Sequence, residues 1–161
     1  MATGNTLDRF TALHHSPPAA NLATLDLRND HPVLEFDKDT SEIAYFESVL
    51  SRAYSGGGIT VYIHWMSDTA TSGGVVWGVS FERENTDLDS DSFASEKTAT
   101  GTASGTCGIV TVTSIAFTDG AEIDSIAVGE SYRIKVARKV ADGSDDMACD
   151  AQLLKIEIKE T

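Results

Sequence analysis

Short runs of alternating apolar and polar residues fill most of the chain, and each run ends at Gly, Asp, Asn or Ser. The clearest two are residues 59–65 and 75–82, separated by a stretch rich in Ser, Thr and Gly. A period of two is typical of strands that bury one face, and it places Trp65 and Trp77 on the apolar side of their strands. We therefore predict a hairpin with both tryptophans in one core. The predicted fold is all-β, an antiparallel, jelly-roll-like β-sandwich of about eight strands.

Earlier strands are less regular but follow the same pattern. Residues 23–27 and 33–36 are predicted to form two short strands. Residues 42–50 fit an amphipathic helix as well as a buried strand, because their apolar positions also match a period of 3.6. We favour a strand, because the SGGG sequence at residues 55–58 and the strand after it indicate a loop between antiparallel neighbours.

The C-terminal half carries three more predicted strands. In residues 108–117 the apolar positions change face near Thr113, which predicts a β-bulge there. Residues 131–139 and 151–160 alternate cleanly, and we predict that they pair with each other. Arg138 is expected to face solvent with the other basic residues of its strand.

Residues 1–22 lack this periodicity, and Pro17 and Pro18 favour an extended backbone. We predict an extended N-terminal arm, residues 1–22, followed by a β-sandwich domain, residues 23–161. A free tail is one alternative for the arm. In the second alternative, the apolar residues Leu7, Phe10 and Leu13 dock the arm on its own domain or on a neighbouring molecule. In either case we expect that the arm can be removed without loss of a sandwich strand.

Charge narrows the possible partners. The chain has 25 acidic and 12 basic residues, and its net charge of −13 repels phosphate backbones and anionic lipids. We therefore expect neither nucleic acid nor membrane as a direct partner. The sequence contains neither a signal-peptide pattern nor an apolar run of the ~20 residues that a membrane span needs, so we expect a soluble protein. Cys107 and Cys149 lack metal-site spacing and are expected to be reduced.

Catalytic and metal-binding patterns are weak. There is no GxSxG motif, and His31 and His64 are the only histidines within residues 23–161. Asp87, Asp89 and Asp91 form a DxDxD triplet, but the rest of a calcium loop does not follow. Paired carboxylates of the glycosidase type stay open as an alternative, although the acidic residues lie in loops typical of solvated turns. We predict a non-enzyme without catalytic residues, cofactor or metal.

Four segments of the chain carry a further signal: ATLDLRNDHPVLEF, AYSGGGITVYIHWMSDTATSGGVVWGVSFER, DSDSFAS and the closing GESYRIKVARK and DAQLLKIEIKE. Together, over roughly residues 20–160, they resemble the small β-sandwich structural proteins of tailed-bacteriophage virions. The resemblance implies a jelly-roll-like domain that decorates or cements a capsid, or a head-fibre or tail-adaptor component. It implies no catalytic residues.

The resemblance leads to one expected function and one alternative. The expected function is a capsid cement or decoration protein on the outer capsid surface of a virion assembled in the host cytoplasm. Its expected partners are the major capsid protein and further copies of itself in a homotrimer. The alternative is a receptor- or carbohydrate-binding module in which exposed aromatic residues stack on a sugar. The candidate interface residues are Leu7, Phe10, Leu13, His14, His15, Pro17, Pro18, Tyr54 and Tyr62.

Overall fold

The alternating runs form β-strands, and these strands divide between two antiparallel sheets that face each other. The computed structural model describes residues 4–84 and 87–161, in which there are eleven strands and two 3₁₀ turns. The prediction of an all-β sandwich is confirmed, with more strands than expected. No helix in the described ranges is long and apolar enough to cross a membrane. The strands are β1 (Thr6–Thr11), β2 (His15–Ser16), β3 (Thr24–Arg28), β4 (His31–Phe36), β5 (Ile43–Val49), β6 (Ile59–Ser67), β7 (Gly74–Arg83), β8 (Lys97–Thr102), β9 (Thr111–Phe117), β10 (Ser131–Arg138) and β11 (Ala151–Glu160).

Sheet 1 has the strand order β3-β4-β11-β6-β9, and β1 lies beside β11 as its sixth strand. Sheet 2 has the strand order β2-β5-β10-β7-β8. The inward-facing residues of both sheets form one hydrophobic core. The outer face of each sheet is therefore the surface on which polar side chains from distant parts of the chain meet.

The chain changes sheet at turns where the sequence predicts paired neighbours. β6 pairs with β11 and β9 in sheet 1, whereas β7 pairs with β10 and β8 in sheet 2. The same crossing separates β5 from β6 and β10 from β11. The predicted hairpin and the other two neighbour pairs are therefore wrong. Alternation shows which face of a strand is apolar. The alternating pattern is identical whether the next strand joins the same sheet or the opposite sheet, so it does not predict strand pairing.

Both tryptophans lie in the core, as predicted. Trp65 and Trp77 approach each other from opposite sheets, with ring centroids 6.0 Å apart and ring planes at 62°. The Nε1 of Trp65 donates to the hydroxyl of Thr113 at 2.8 Å. The Nε1 of Trp77 has no hydrogen-bond partner among the described residues, and its ring packs edge-on against Phe36 at 5.1 Å. The two rings therefore share an environment but differ in hydrogen bonding.

The β-bulge predicted for residues 108–117 is wrong, and the irregular pairings lie in other strands. β9 pairs with β6 in unbroken register, and Val112 is exposed on its outer face. The change of apolar face near Thr113 therefore reflects exposed valines and not an extra residue. Register shifts occur instead in β11, between Leu153 and Lys155, and in β1, between Thr6 and Asp8. The strand predicted within residues 42–50 is confirmed as β5, Ile43–Val49.

Arg138 is buried, and the expectation that it faces solvent is wrong. It has the same parity as the inward-facing Ile134 and Val136, and its guanidinium lies 2.8 Å from the carboxylate of Asp145. The loop between β10 and β11 supplies this acidic partner. An ion pair can therefore occupy a position that alternation assigns to the core and that charge alone would assign to the surface.

The N-terminal segment packs on its own domain. β1 pairs with β11 in sheet 1, and β2 pairs with β5 in sheet 2. Leu7, Phe10 and Ala12 are buried. The expectation that residues 1–22 can be removed without loss of a strand is wrong, because this segment contributes a strand to each sheet.

Candidate functional site

Three strands of sheet 1 bring a set of polar side chains together on the outer face. In β11, Ile156 faces the core, so Lys155 and Glu157 face outward. Lys155 lies opposite His64 of β6, and Glu157 lies opposite Tyr62 of β6. On the other side of β11, the same two residues lie opposite Thr11 and Arg9 of β1. Residues from the start, middle and end of the chain thus form one surface.

A polar groove of about 430 Å³ follows this surface. Its polar lining comes from the charged and hydroxyl side chains of β1 and β11 and from the imidazole of β6, above a floor of core residues. We define the polar groove by its outward-facing lining residues: Arg9, Thr11, His64, Lys155 and Glu157.

Tyr62 adjoins the polar groove, two positions from His64 on the same face of β6, and it is half-buried. Beside it, Glu157 is held in place because the hydroxyl of Thr6 donates to its Oε1 at 2.6 Å. An aromatic ring next to a fixed carboxylate offers a flat apolar surface and a hydrogen-bond acceptor at its edge. A ring-shaped ligand with an apolar C–H face and hydroxyl groups at its edge suits this combination.

A second, apolar groove of about 530 Å³ continues from the first, with Thr11 and Lys155 in both linings. Apolar side chains such as Leu13 and Val110 line it, and Leu13 is 65% exposed. His31 lies at this groove as well. The two grooves together form a continuous surface depression along one side of the sandwich.

The candidate interface residues predicted from the sequence differ in burial and in position. Leu13 and Tyr62 lie on the outer face of sheet 1. Leu7 is buried, and Phe10 lies beneath the polar groove as part of the core. Tyr54 is only 6% exposed, with its hydroxyl 2.6 Å from the carboxylate of Asp119, so it cannot serve as the exposed stacking platform that the sequence suggested.

The two histidines and two prolines lie between β1 and the start of β3. The backbone N–H of Thr11 donates to Nδ1 of His14 at 2.9 Å, and Nδ1 of His15 donates to the carbonyl of Ala12 at 2.7 Å. These bonds fix the turn. Pro17 is exposed and Pro18 half-buried. Within residues 4–84 and 87–161, no group of three or more His, Cys, Asp or Glu side chains is arranged to hold a metal ion.

The two cysteines and the acidic loop at residues 87–91 are also singled out by the sequence. Cys107 is exposed and Cys149 is buried, and both are free thiols. Asp87 accepts a hydrogen bond from the backbone of Asp89 at 3.1 Å, which closes a local turn.

The outer face of sheet 2 is occupied by the protein's own side chains. Tyr45 and Phe93 stack with ring centroids 5.6 Å apart, and the guanidinium of Arg133 lies 4.8 and 4.9 Å from the two rings. Glu82 holds the same guanidinium at 3.0 Å. This aromatic pair is therefore already covered by a cation that has its own acidic partner.

A cleft of about 260 Å³ on another side is lined by acidic residues, among them Glu35, Glu42 and Asp150. Burial, together with the neighbouring carboxyl groups of Asp150 and Asp26, raises the pKa of Glu35 to about 7. Burial also raises the pKa of Glu42. Within this cleft, Glu35 and Glu42 therefore take up protons more readily than isolated glutamates do.

Sequence reasoning missed most of the polar groove. Alternation placed Lys155 and Glu157 on an outer face, but it assigned them to cross-strand contacts with β10, which lies in the other sheet. Arg9 belongs to a segment without strand periodicity, and only its pairing with β11 places it beside Glu157. The signal available was alternation itself, which gives His64 as well as Lys155 and Glu157 an outward position.

Comparisons with known proteins add information on the fold. No protein-family model and no curated protein sequence matches the chain. Among solved structures, the chain is similar to the CBM22-1 xylan-binding domain of Xyn10C from Paenibacillus barcinonensis, with a TM-score of 0.54 and 9% identity over 99% of this chain and 97% of that one. It is similar to the xylan-binding module CBM15, with a TM-score of 0.53 and 10% identity over 98% of both chains.

A third similar structure is a larger one. The N-terminal CBM22-1–GH10 modules of xylanase Xyn10B from Clostridium thermocellum, complexed with xylohexaose, match with a TM-score of 0.51 and 16% identity. The match covers all of this chain but 29% of that one. At these identities the similarity concerns the fold alone. The chain therefore has a β-sandwich fold similar to that of carbohydrate-binding modules.

Proposed function

We propose that this chain is a non-catalytic carbohydrate-binding module that holds a glycan against the outer face of sheet 1. The observation that carries the proposal is the polar groove with Tyr62 at its side. The C–H face of a sugar ring packs on an aromatic ring, and its hydroxyl groups exchange hydrogen bonds with charged side chains at the edge. Tyr62 provides the ring, and Glu157 and Lys155 provide the acceptor and the donor.

The shape of the site supports the same function. The polar and apolar grooves share Thr11 and Lys155 and continue into each other on one sheet face. A surface depression of this kind can accommodate several units of a polymer. The similar folds are named as xylan-binding modules, so xylan is the first polymer to test.

The capsid role stays a prediction. It concerns the outer surface of a virion, the major capsid protein as partner and a homotrimer, and it rests on the resemblance of four sequence segments. The fold similarity supports the carbohydrate-binding alternative better. Near-stoichiometric co-sedimentation with capsids, without binding to any glycan, would favour the capsid role.

The test is affinity electrophoresis of the whole chain through gels containing xylan, arabinoxylan, galactan or polygalacturonate, followed by calorimetry on any polymer that retards it. We expect retardation by at least one polymer. Tyr62→Ala should weaken that binding about tenfold, the equivalent of ~1.4 kcal/mol. Tyr62 is half-buried on the outer face of sheet 1 and is not part of the hydrophobic core, so the variant should keep its melting temperature within a few degrees.

Tyr45→Ala is the matched control, because Tyr45 is a half-buried tyrosine on the outer face of the other sheet. It should leave glycan affinity unchanged. If no polymer retards the parent chain, the proposed function is wrong. If Tyr45→Ala loses binding and Tyr62→Ala does not, the glycan lies on sheet 2 and the assignment of the site is wrong.

A further inference from the structure

Most positive side chains of this protein have an acidic partner. Eight of the twelve Lys and Arg residues lie within 4.0 Å of a carboxylate oxygen. This is expected in a chain with 25 acidic residues, because a cation on such a surface readily finds a carboxylate. Among the described residues, four cations have no such partner: Arg9, Arg52, Lys155 and Lys159.

Three of these four cations lie on one face. Lys155 and Lys159 occupy outward positions of β11 on either side of Glu157, and Arg9 lies opposite Glu157 on β1. We call Arg9, Lys155 and Lys159 the cationic strip. Two of its members, Arg9 and Lys155, line the polar groove. Unpaired positive charge is therefore concentrated where the glycan is proposed to bind.

Glu157 does not neutralise the strip. Its Oε1 accepts the hydroxyl of Thr6 at 2.6 Å, and none of the three cations approaches it within ion-pair distance in the described structure. Opposite charges in register across paired strands usually attract each other. Here the cations stay free to bind an anion from another molecule.

We propose that the cationic strip selects an acidic glycan, in which the carboxylates of uronate units bind Lys155, Lys159 and Arg9. This inference rests on the proposed function and specifies its ligand class. Along β11 the outward side chains alternate as cation, carboxylate, cation, with the two lysines roughly 13 Å apart at about 3.3 Å per residue. A polymer with acidic units spaced by neutral sugars fits this alternation, because Glu157 can accept hydroxyl groups between the two carboxylates.

The acidic character of the whole protein does not oppose this binding under physiological salt. The Debye length there is about 8 Å, so exposed carboxylates elsewhere on the surface are largely screened from a ligand in the groove. The same acidity disfavours densely charged polyanions, which would approach the remaining surface as well. A sparsely charged glycan is the anion that this distribution favours.

The test compares two forms of one polymer. Glucuronoxylan is offered to the whole chain as the native acid and after chemical reduction of its carboxyl groups, in calorimetry at 0.15 M salt. Polygalacturonate serves as a densely charged glycan and polyglutamate as an anionic polymer without sugar. We expect native glucuronoxylan to bind about tenfold or more tightly than its reduced form, and both densely charged polymers to bind far more weakly.

Single variants Lys155→Gln and Lys159→Gln should each weaken binding of the acidic polymer about two- to fivefold, and the double variant more than either, because each removes one exposed charge pair. Arg52→Gln is the matched control, since Arg52 is the unpaired cation outside the strip and lies beside Gly129. It should bind as the parent does.

The outcomes separate the two proposals. Equal binding of native and reduced polymers, lost in Tyr62→Ala but kept in both lysine variants, overturns the inference and leaves the proposed function standing. Equal binding of polyglutamate and the acidic glycan means a general anion site and overturns the inference together with the glycan function. Loss of affinity in Arg52→Gln equal to that in the lysine variants overturns the assignment to the strip.

Discussion

The buried ion pair between Arg138 and Asp145 offers the sharpest test of the packing described above. The side chain of Arg138 is 0% exposed and that of Asp145 is 1% exposed. The Nε of Arg138 lies 3.1 Å and its Nη2 2.8 Å from the carboxylate oxygens of Asp145. The remaining guanidinium hydrogens bind three backbone carbonyls, those of Phe36, Met147 and Cys149. All five N–H groups of the arginine are thus satisfied inside the protein.

We predict that Asp145→Asn destabilises the fold by about 3–5 kcal/mol. The substitution keeps the shape of the side chain but leaves a buried guanidinium without its counter-charge, and breaking a buried pair in this way costs that amount. A domain is stable by only ~5–15 kcal/mol, so the loss is a large fraction of the total. For a chain of this size, each kcal/mol lowers the melting temperature by roughly 2–4 °C, so a fall of about 6–20 °C is expected.

The assay is urea unfolding followed by tryptophan fluorescence and by far-UV circular dichroism, with coincident transitions required. Asp39→Asn is the matched control, because Asp39 forms an ion pair with Lys38 at 2.6 Å on the exposed surface. Exposed pairs contribute about 0–1 kcal/mol, so this variant should unfold close to the parent. If Asp145→Asn also unfolds within about 1 kcal/mol of the parent, the pair is not buried as described and the reasoning fails.

Two further predictions concern the core and the acidic cleft. Trp65→Phe should destabilise the fold more than Trp77→Phe does, because only the first substitution leaves the buried hydroxyl of Thr113 without its hydrogen-bond partner, at a cost of ~1–3 kcal/mol. Equal urea midpoints for the two variants would contradict the hydrogen bond. Burial and the neighbouring carboxyl groups raise the pKa of Glu35 to about 7. The folded state therefore holds the proton of Glu35 more tightly than the unfolded state does, which stabilises the fold at low pH. This contribution to stability is lost as the pH rises through 7. Glu35→Gln should therefore raise the melting temperature more at pH 8 than at pH 4.5, and a uniform shift across that range would count against the raised pKa.

The position of Arg138 illustrates how local pattern and residue chemistry can disagree. Its parity places it with the inward-facing residues of β10, while its charge argues for the surface. The conflict is resolved by Asp145, whose loop folds back over the end of the strand. A charge can be buried when its partner and hydrogen bonds come with it, and that partner is visible only in three dimensions.

The candidate site likewise combines features that the sequence predicts with features that only the strand pairing decides. Alternation along β6 and β11 is enough to place Tyr62 and Glu157 on outer faces. It does not show that the two strands are neighbours, nor that Arg9 of β1 lies beside them, because strand pairing depends on contacts between segments far apart in the chain. Tyr54 is the converse case, since only the carboxylate of Asp119 and the surrounding core explain why that aromatic residue is not exposed.

The sequence by itself determined that this protein is a β-sandwich, where most of its strands lie, and that Trp65 and Trp77 face the core. These features follow from alternation, because apolar side chains leave water on one face of a strand wherever that strand is placed. The tertiary structure alone decided which sheet each strand joins, that the N-terminal segment completes both sheets, and that Lys155 and Arg9 border one groove. These features depend on pairing between distant segments, which the period of two does not encode.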